Sequence, residues 1–226
     1  KKSINKFKPE VIIHLAAQAG VRYSIDKPRT YLSSNIIGTF NVIELSHKFK
    51  VKHLLIASSS SVYGANKNMP YKENDNVKSQ LSIYAATKLA TESMAHSYSN
   101  IWKTPITMLR FFTVYGPWGR PDMALMSFTH NIAKGIPIKA YNNGKMKRDF
   151  THISDIIAGI KTILFNETPE GEIYNIGRGK SVKLLDFIEC IGDNMGRKPI
   201  IDLVPKHPAD IVDTHSDITK LKKLGY

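Results

Sequence analysis

Three short apolar runs, spaced by helix-length segments, constrain what this chain can fold into. Val11-Ile12-Ile13-His14-Leu15-Ala16-Ala17, His53-Leu54-Leu55-Ile56-Ala57 and residues 105–112 have strand length and little apolar/polar alternation. Continuous apolar character belongs to strands covered on both faces. Between the first two runs, Tyr31, Ile36, Ile37, Phe40, Val42, Ile43 and Leu45 recur at helical spacing over residues 26–48, and Pro28 suits a first helical turn. Residues 83–102 read as a second helix. Strand and helix in alternation predict an α/β fold with a parallel sheet.

After Val114 the punctuation changes. Tyr115-Gly116-Pro117-Trp118-Gly119-Arg120-Pro121 reads as a loop. Shorter elements follow: helices near 123–134, 153–165, 182–195 and 218–224, strands near 136–141, 173–176 and 199–204, and a turn at 142–144. The expected division is a larger unit over 1–115 and a smaller α/β lobe over 116–226, interlocked with it.

Composition narrows the function classes. With 226 residues, 42% of them hydrophobic, the chain can bury a core and is not disordered. No stretch approaches the ~18 apolar residues of a membrane span. Cys190 is the only cysteine, which excludes a disulfide framework; its apolar helical surroundings predict a buried, inert thiol. Cytoplasm is the expected compartment. The net charge of +13 raises nucleic acid as a partner, but the lysines are scattered and no long basic block exists, so none is expected. His14, His152 and His215 lack the pairing of a ligand motif, so no metal is expected.

Two features carry chemistry. Tyr84 and Lys88 lie four residues apart on the helix at 83–102 and so share a face. An adjacent ammonium favours phenolate, which makes the pair a candidate base, although such pairs also occur by chance. Ser58-Ser59-Ser60-Ser61-Val62-Tyr63-Gly64 ends the second predicted strand, where parallel sheets bind ligands.

Serine loop, tyrosine and lysine on a strand-loop-helix frame resemble the catalytic set of the short-chain dehydrogenase/reductase superfamily. His14-Leu15-Ala16-Ala17-Gln18-Ala19-Gly20-Val21-Arg22-Tyr23-Ser24, Gly116-Pro117-Trp118-Gly119-Arg120-Pro121-Asp122-Met123-Ala124 and Arg148-Asp149-Phe150-Thr151 extend the likeness over nearly the whole chain. They resemble the NAD-dependent epimerase/dehydratase family of the extended superfamily, and within it the UDP-glucuronate 4-epimerases.

The resemblance implies a Rossmann-like doubly wound sheet, NAD as cofactor, a UDP-sugar as substrate and a homodimer. It places Leu15, Ala16, Ala17, Ser34 and Asn35 beside the cofactor, with Tyr84 and Lys88 on its ribose and Phe112 near its nicotinamide. Tyr84 would be the general base, and Ser59 would hydrogen-bond the sugar 4-oxygen. Ser60, Ser61, Thr113, Arg120, Arg148 and Asp210 would meet the substrate, Arg120 serving a uronate or its loop and Arg148 the diphosphate. Asp149 would order the Arg148 loop. Related dehydratases carry Asp-Glu where Ser60-Ser61 stand, so the reaction expected is epimerisation. A neutral UDP-hexose as substrate and a non-catalytic sugar-nucleotide-binding remnant are the alternatives. His207 and His152 depart from the family pattern. The family's Gly-x-x-Gly-x-x-Gly turn occurs nowhere in these residues. The expectation is therefore an internal piece, lacking an N-terminal segment, that is poorly soluble and little active alone.

Overall fold

The computed structural model describes residues 2–166 and 171–226. A short helix α1 (Lys2–Phe7) precedes strand β1 (Val11–His14). Helices α2 (Tyr23–Asp26) and α3 (Pro28–Tyr31) lead through a π-helical segment, Leu32–Ile37, into α4 (Gly38–Lys48). Then come β2 (His53–Ser59), α5 (Ile83–Trp102) and β3 (Ile106–Phe111). The second half runs β4 (Thr113–Tyr115), α6 (Ala124–Lys134), β5 (Ile138–Ala140), β6 (Lys147–Arg148), β7 (Phe150–His152) and α7 (Ile153–Phe165). It ends with β8 (Ile173–Ile176), β9 (Val182–Lys183), α8 (Leu184–Met195), β10 (Ile201–Leu203) and α9 (Thr219–Lys222).

β1, β2, β3 and β8 form one sheet in that order, every pair parallel. The continuous apolar runs are explained by cover on both faces. On one face Leu54, Ile56, Ile106 and Met108 pack with Ile43 of α4 and Ala95 of α5. On the other, Leu55, Leu109, Tyr174 and Ile176 pack with Ile156, Ile160 and Ile163 of α7. Fully burying one such leucine or isoleucine contributes roughly 1.5–3 kcal/mol. The fold is the expected Rossmann-like α/β arrangement.

A third core gathers Ile132, Ile138, Met146, Phe150, Leu184, Ile188 and Ile191 under α6 and α8. Phe150 and Phe187 stack there, 3.9 Å between centroids. The small two-stranded sheets β10–β5, β4–β7 and β6–β9 frame it. β8 and α7 come from beyond residue 116 yet supply a strand of the large sheet and one of its covers, so the two halves share a core.

Three local expectations change. The helix expected over 26–48 starts at Pro28, after a break at Lys27 (φ −130°), and runs to Lys48 with a π-helical segment in its middle. Val182 and Lys183, expected as helix, pair with β6 before α8 begins. Cys190 is exposed, not buried. The inward face of α8 is taken by Leu184, Ile188 and Ile191, and a residue two positions past 188 points away from it. Among the described residues, no helix is long and apolar enough to cross a membrane.

Candidate active site

The carboxyl ends of β1, β2 and β3 open into a cavity of about 580 Å³, the place where parallel α/β sheets receive ligands. Its floor is the turn after β2. Ser59 ends the strand in extended backbone, and its Oγ accepts from Ser61 N at 3.2 Å, which starts a tight turn over Ser60–Tyr63. Gly64 leaves that turn at φ +56°, where a Cβ would collide with the Ser79 carbonyl.

α5 brings Tyr84 and Lys88 to the same wall. Ser82 caps the helix, its Oγ accepting from Ala85 N at 3.1 Å, so Tyr84 sits in the first turn. The Lys88 ammonium is buried and donates to Ala57 O at 2.7 Å. Burial pushes it down to about 8, and Glu92, one turn on, pulls it back up. Burial raises the Tyr84 phenol; the Ser59 hydroxyl and the Arg120 charge act in the opposite direction. Tyr31 meets the Tyr84 ring edge-on, 6.2 Å between centroids.

The loop after β1 forms the facing wall. Tyr31 donates to Ala19 O and Gly20 O, at 2.9 and 2.6 Å. Asn35 accepts from Gln18 N at 2.8 Å and donates to Gln18 O and to Thr87 Oγ1, both at 3.0 Å. These bonds tie the loop to α5. Leu15 and Ala17 line the cavity; Ala16 and Ser34 do not, and both are exposed. Of Ser34 and Asn35 on the π-helical segment, it is Asn35 whose side chain turns inward.

Ser59, Ser60, Ser61, Tyr84, Lys88, Phe112, Thr113, Arg120, Arg148 and Asp210 all line the one cavity. The Arg120 guanidinium grips Asp122 through two bonds, 2.9 and 2.7 Å, on the loop between β4 and α6. Arg148 donates to Lys147 O and Val212 O and faces Asp210 and Asp213. Asp210 pairs with Arg22 at 2.9 Å. Asp149 is fully buried and accepts from Arg178 N, Gly179 N, Ser216 N and Ser216 Oγ. It therefore orders the loops around Arg148 without facing the cavity. His152 caps α7, His14 bonds Thr39 and His215 bonds Gly179 O, in three separate places.

The residues present fit the nicotinamide-riboside end of NAD. Lys88 has one protein hydrogen bond and three donors, leaving N–H groups for ribose oxygens. The small Ala17 and Ala57 and the apolar Leu15 and Phe112 line the space beside it. Among the described lining residues there are three cations, Lys88, Arg120 and Arg148, and one carboxylate, Asp210. That balance suits an anionic ligand.

A family model described as the NAD dependent epimerase/dehydratase family matches residues 1–177. The chain belongs to that family. A relative from Rhizobium meliloti (strain 1021), named probable UDP-glucuronate 4-epimerase, is 42% identical over 96% of this chain and 69% of its own length. UDP-glucuronate 4-epimerase 1 of Arabidopsis thaliana is 51% identical over 95% of this chain and 54% of its own. Among solved structures, the UDP-glucuronic acid 4-epimerase of Bacillus cereus, in complex with UDP-glucuronic acid and NAD, superposes with a TM-score of 0.93. It is 33% identical, over 99% of this chain and 70% of that one. For a member of this epimerase/dehydratase family, two charged groups behind the site were given no role from the sequence: Glu92 and Arg110. Arg110, a charge inside an apolar strand, was a visible signal for one of them.

Proposed function

We propose that this chain is the catalytic part of an NAD-dependent 4-epimerase that interconverts UDP-glucuronate and UDP-galacturonate through a 4-keto sugar. One observation carries the choice of reaction. The wall that holds Tyr84 and Ser59 continues into Ser60 and Ser61, and the cavity's single described carboxylate, Asp210, lies in an ion pair with Arg22. Among the described lining residues, no free acid stands beside Tyr84 and Ser59 to eliminate water from the sugar.

The residues divide the work. Tyr84 takes the proton of the sugar 4-hydroxyl and returns it after the sugar has turned. Ser59 holds the 4-oxygen as alcohol and as ketone. Lys88 orients the cofactor ribose and favours the phenolate of Tyr84. NAD, when bound, supplies the hydride acceptor and donor for C4. Arg148 and Asp210 hold the nucleotide end, and Arg120, with Ser60, Ser61 and Thr113, holds the carboxylate end.

Two partners belong to this reading. The first is a second copy of the chain, packed through α4 and α5. Their outer faces carry a cluster of Phe40, His47, Tyr98 and Trp102, with Ile101 and Trp102 exposed. The second is a strand-bearing segment on the outer edge of β1, next to exposed Leu15, Ala16 and Ala17, supplying the glycine-rich cradle for pyrophosphate. The cytoplasm is the compartment proposed, which the unpaired Cys190 suits.

The test is to incubate the chain with UDP-glucuronate and NAD⁺, alone and with a glycine-rich βαβ segment of a relative co-expressed. UDP-galacturonate in either sample supports the reading. Protection from unfolding by UDP-glucuronate without product in either sample overturns it in favour of a binding protein.

A further inference from the structure

Behind Tyr84 and Lys88 lies a buried ion pair that the proposed chemistry does not use. The register of the sheet sets Ser58, Arg110 and Asn175 side by side at the ends of β2, β3 and β8. Glu92, one helical turn past Lys88, comes down on this row from α5. Arg110 grips it with two bonds, Nε to Oε1 at 3.0 Å and Nη2 to Oε2 at 2.8 Å, and Ser58 Oγ donates to Oε1. Both charged side chains are under 5% exposed. Arg110 also donates to Tyr63 OH at 3.0 Å and to Glu73 O at 3.1 Å, and its guanidinium stands 4.8 Å from the Tyr63 ring centroid. Tyr63 in turn donates to Asn175. Every group of the network is engaged.

Such a pair is a weak source of stability, because desolvating two ions offsets their attraction. What it does supply is position. α5 touches β2 through two successive residues: Lys88 reaches Ala57 O, and Glu92 receives Ser58. The next residue of β2 is Ser59.

We propose that Glu92, clamped by Arg110 and Ser58, is a positioning residue that sets Tyr84 and Lys88 of α5 against the serine loop. This rests on the epimerase reading only in what the pair is positioned for. Charge follows from the same geometry. The groups facing Lys88 are His14 from β1, Glu92 and Tyr84 from its own helix, and Arg110 of β3 behind Glu92; β2 presents a carbonyl and a hydroxyl. Glu92 is the one anion among them.

The test reads Lys88 directly, by ¹³Cε-lysine NMR titration of the full chain, with Lys88→Met assigning the signal. Glu92→Gln is expected to move the Lys88 midpoint down from about 8, because an anion is lost and Arg110 stands unopposed. Arg110→Gln is expected to move it up, because Glu92 then acts unscreened. Opposite shifts are the signature, since general loosening would move both variants the same way. Should either single variant not fold, the double variant Glu92→Met/Arg110→Met removes both buried charges and is expected to fold. It should keep its thermal midpoint and show a lowered Lys88 midpoint. Where turnover is measured, kcat should fall about tenfold with KM little changed. An unchanged Lys88 midpoint in the variants that fold overturns the proposal, whether or not the chain turns over. Shifted midpoints in a chain that never forms product leave it standing and count against the epimerase reading alone.

Discussion

At the scale of residues, the site is a contest between burial and charge over one phenol. Burial raises Tyr84, while Ser59 and Arg120 lower it. In the proposed reaction the phenolate is the base, so kcat should rise with pH along an acidic limb set by Tyr84. Arg120→Met removes a cation that favours phenolate, so that limb should move to higher pH. At pH above that limb the same variant should cut kcat/KM for UDP-glucuronate by about 10- to 100-fold, the cost of a lost charge-assisted bond, and spare a neutral UDP-hexose. A pH series with both substrates reads both effects. Tyr84→Phe should lower kcat by about 10²–10⁴-fold while UDP binding, followed by calorimetry, persists. Tyr84 and Lys88 were legible in the sequence because helical spacing alone puts them on one face. Glu92 continues that face by another four residues. Its meaning depends on Arg110 and Ser58, which a strand register brings to it and which no local spacing reveals.

At the scale of elements, strong local punctuation decided what could be read. α5 and α7 have the bounds expected, each starting at a residue whose side chain accepts from the first turn. The π-helical segment within the helix that starts at Pro28 was not legible, because the apolar spacing that begins at Tyr31 continues through it unchanged. β4 and β7 were missed because each is three residues long and exists only by pairing with the other. Two element-level substitutions test the frame of the site. Ser82→Ala should cost about 1 kcal/mol of stability in urea unfolding, as loss of a cap does. Gly64→Ala should cost about 1–3 kcal/mol, since the backbone there has φ +56° and the Ser79 carbonyl blocks a side chain. Both should lower kcat further than the stability loss explains, because both loosen the turn or helix that presents Ser59 and Tyr84.

At the scale of the whole molecule, the aromatic face of α4 and α5 should hold two copies together. Trp102→Glu places a charge in that face and should convert a dimer to a monomer in multi-angle light scattering, with the thermal midpoint of each chain little changed. The parallel sheet and the helices on its two faces followed from three apolar runs. What the sequence left open was that β8 returns from the second half to pair with β3. This has a consequence for how the chain is made. A ribosome delivers β1, β2, α5 and β3 in order, but the flank of β3 and the cover of Leu55 and Leu109 stay open until α7 and β8 emerge. The nascent site must therefore wait, wet and unsealed, while the stretch from β4 to β8 is translated. Pausing within that stretch would prolong the exposure of apolar sheet to chaperones and to neighbouring chains.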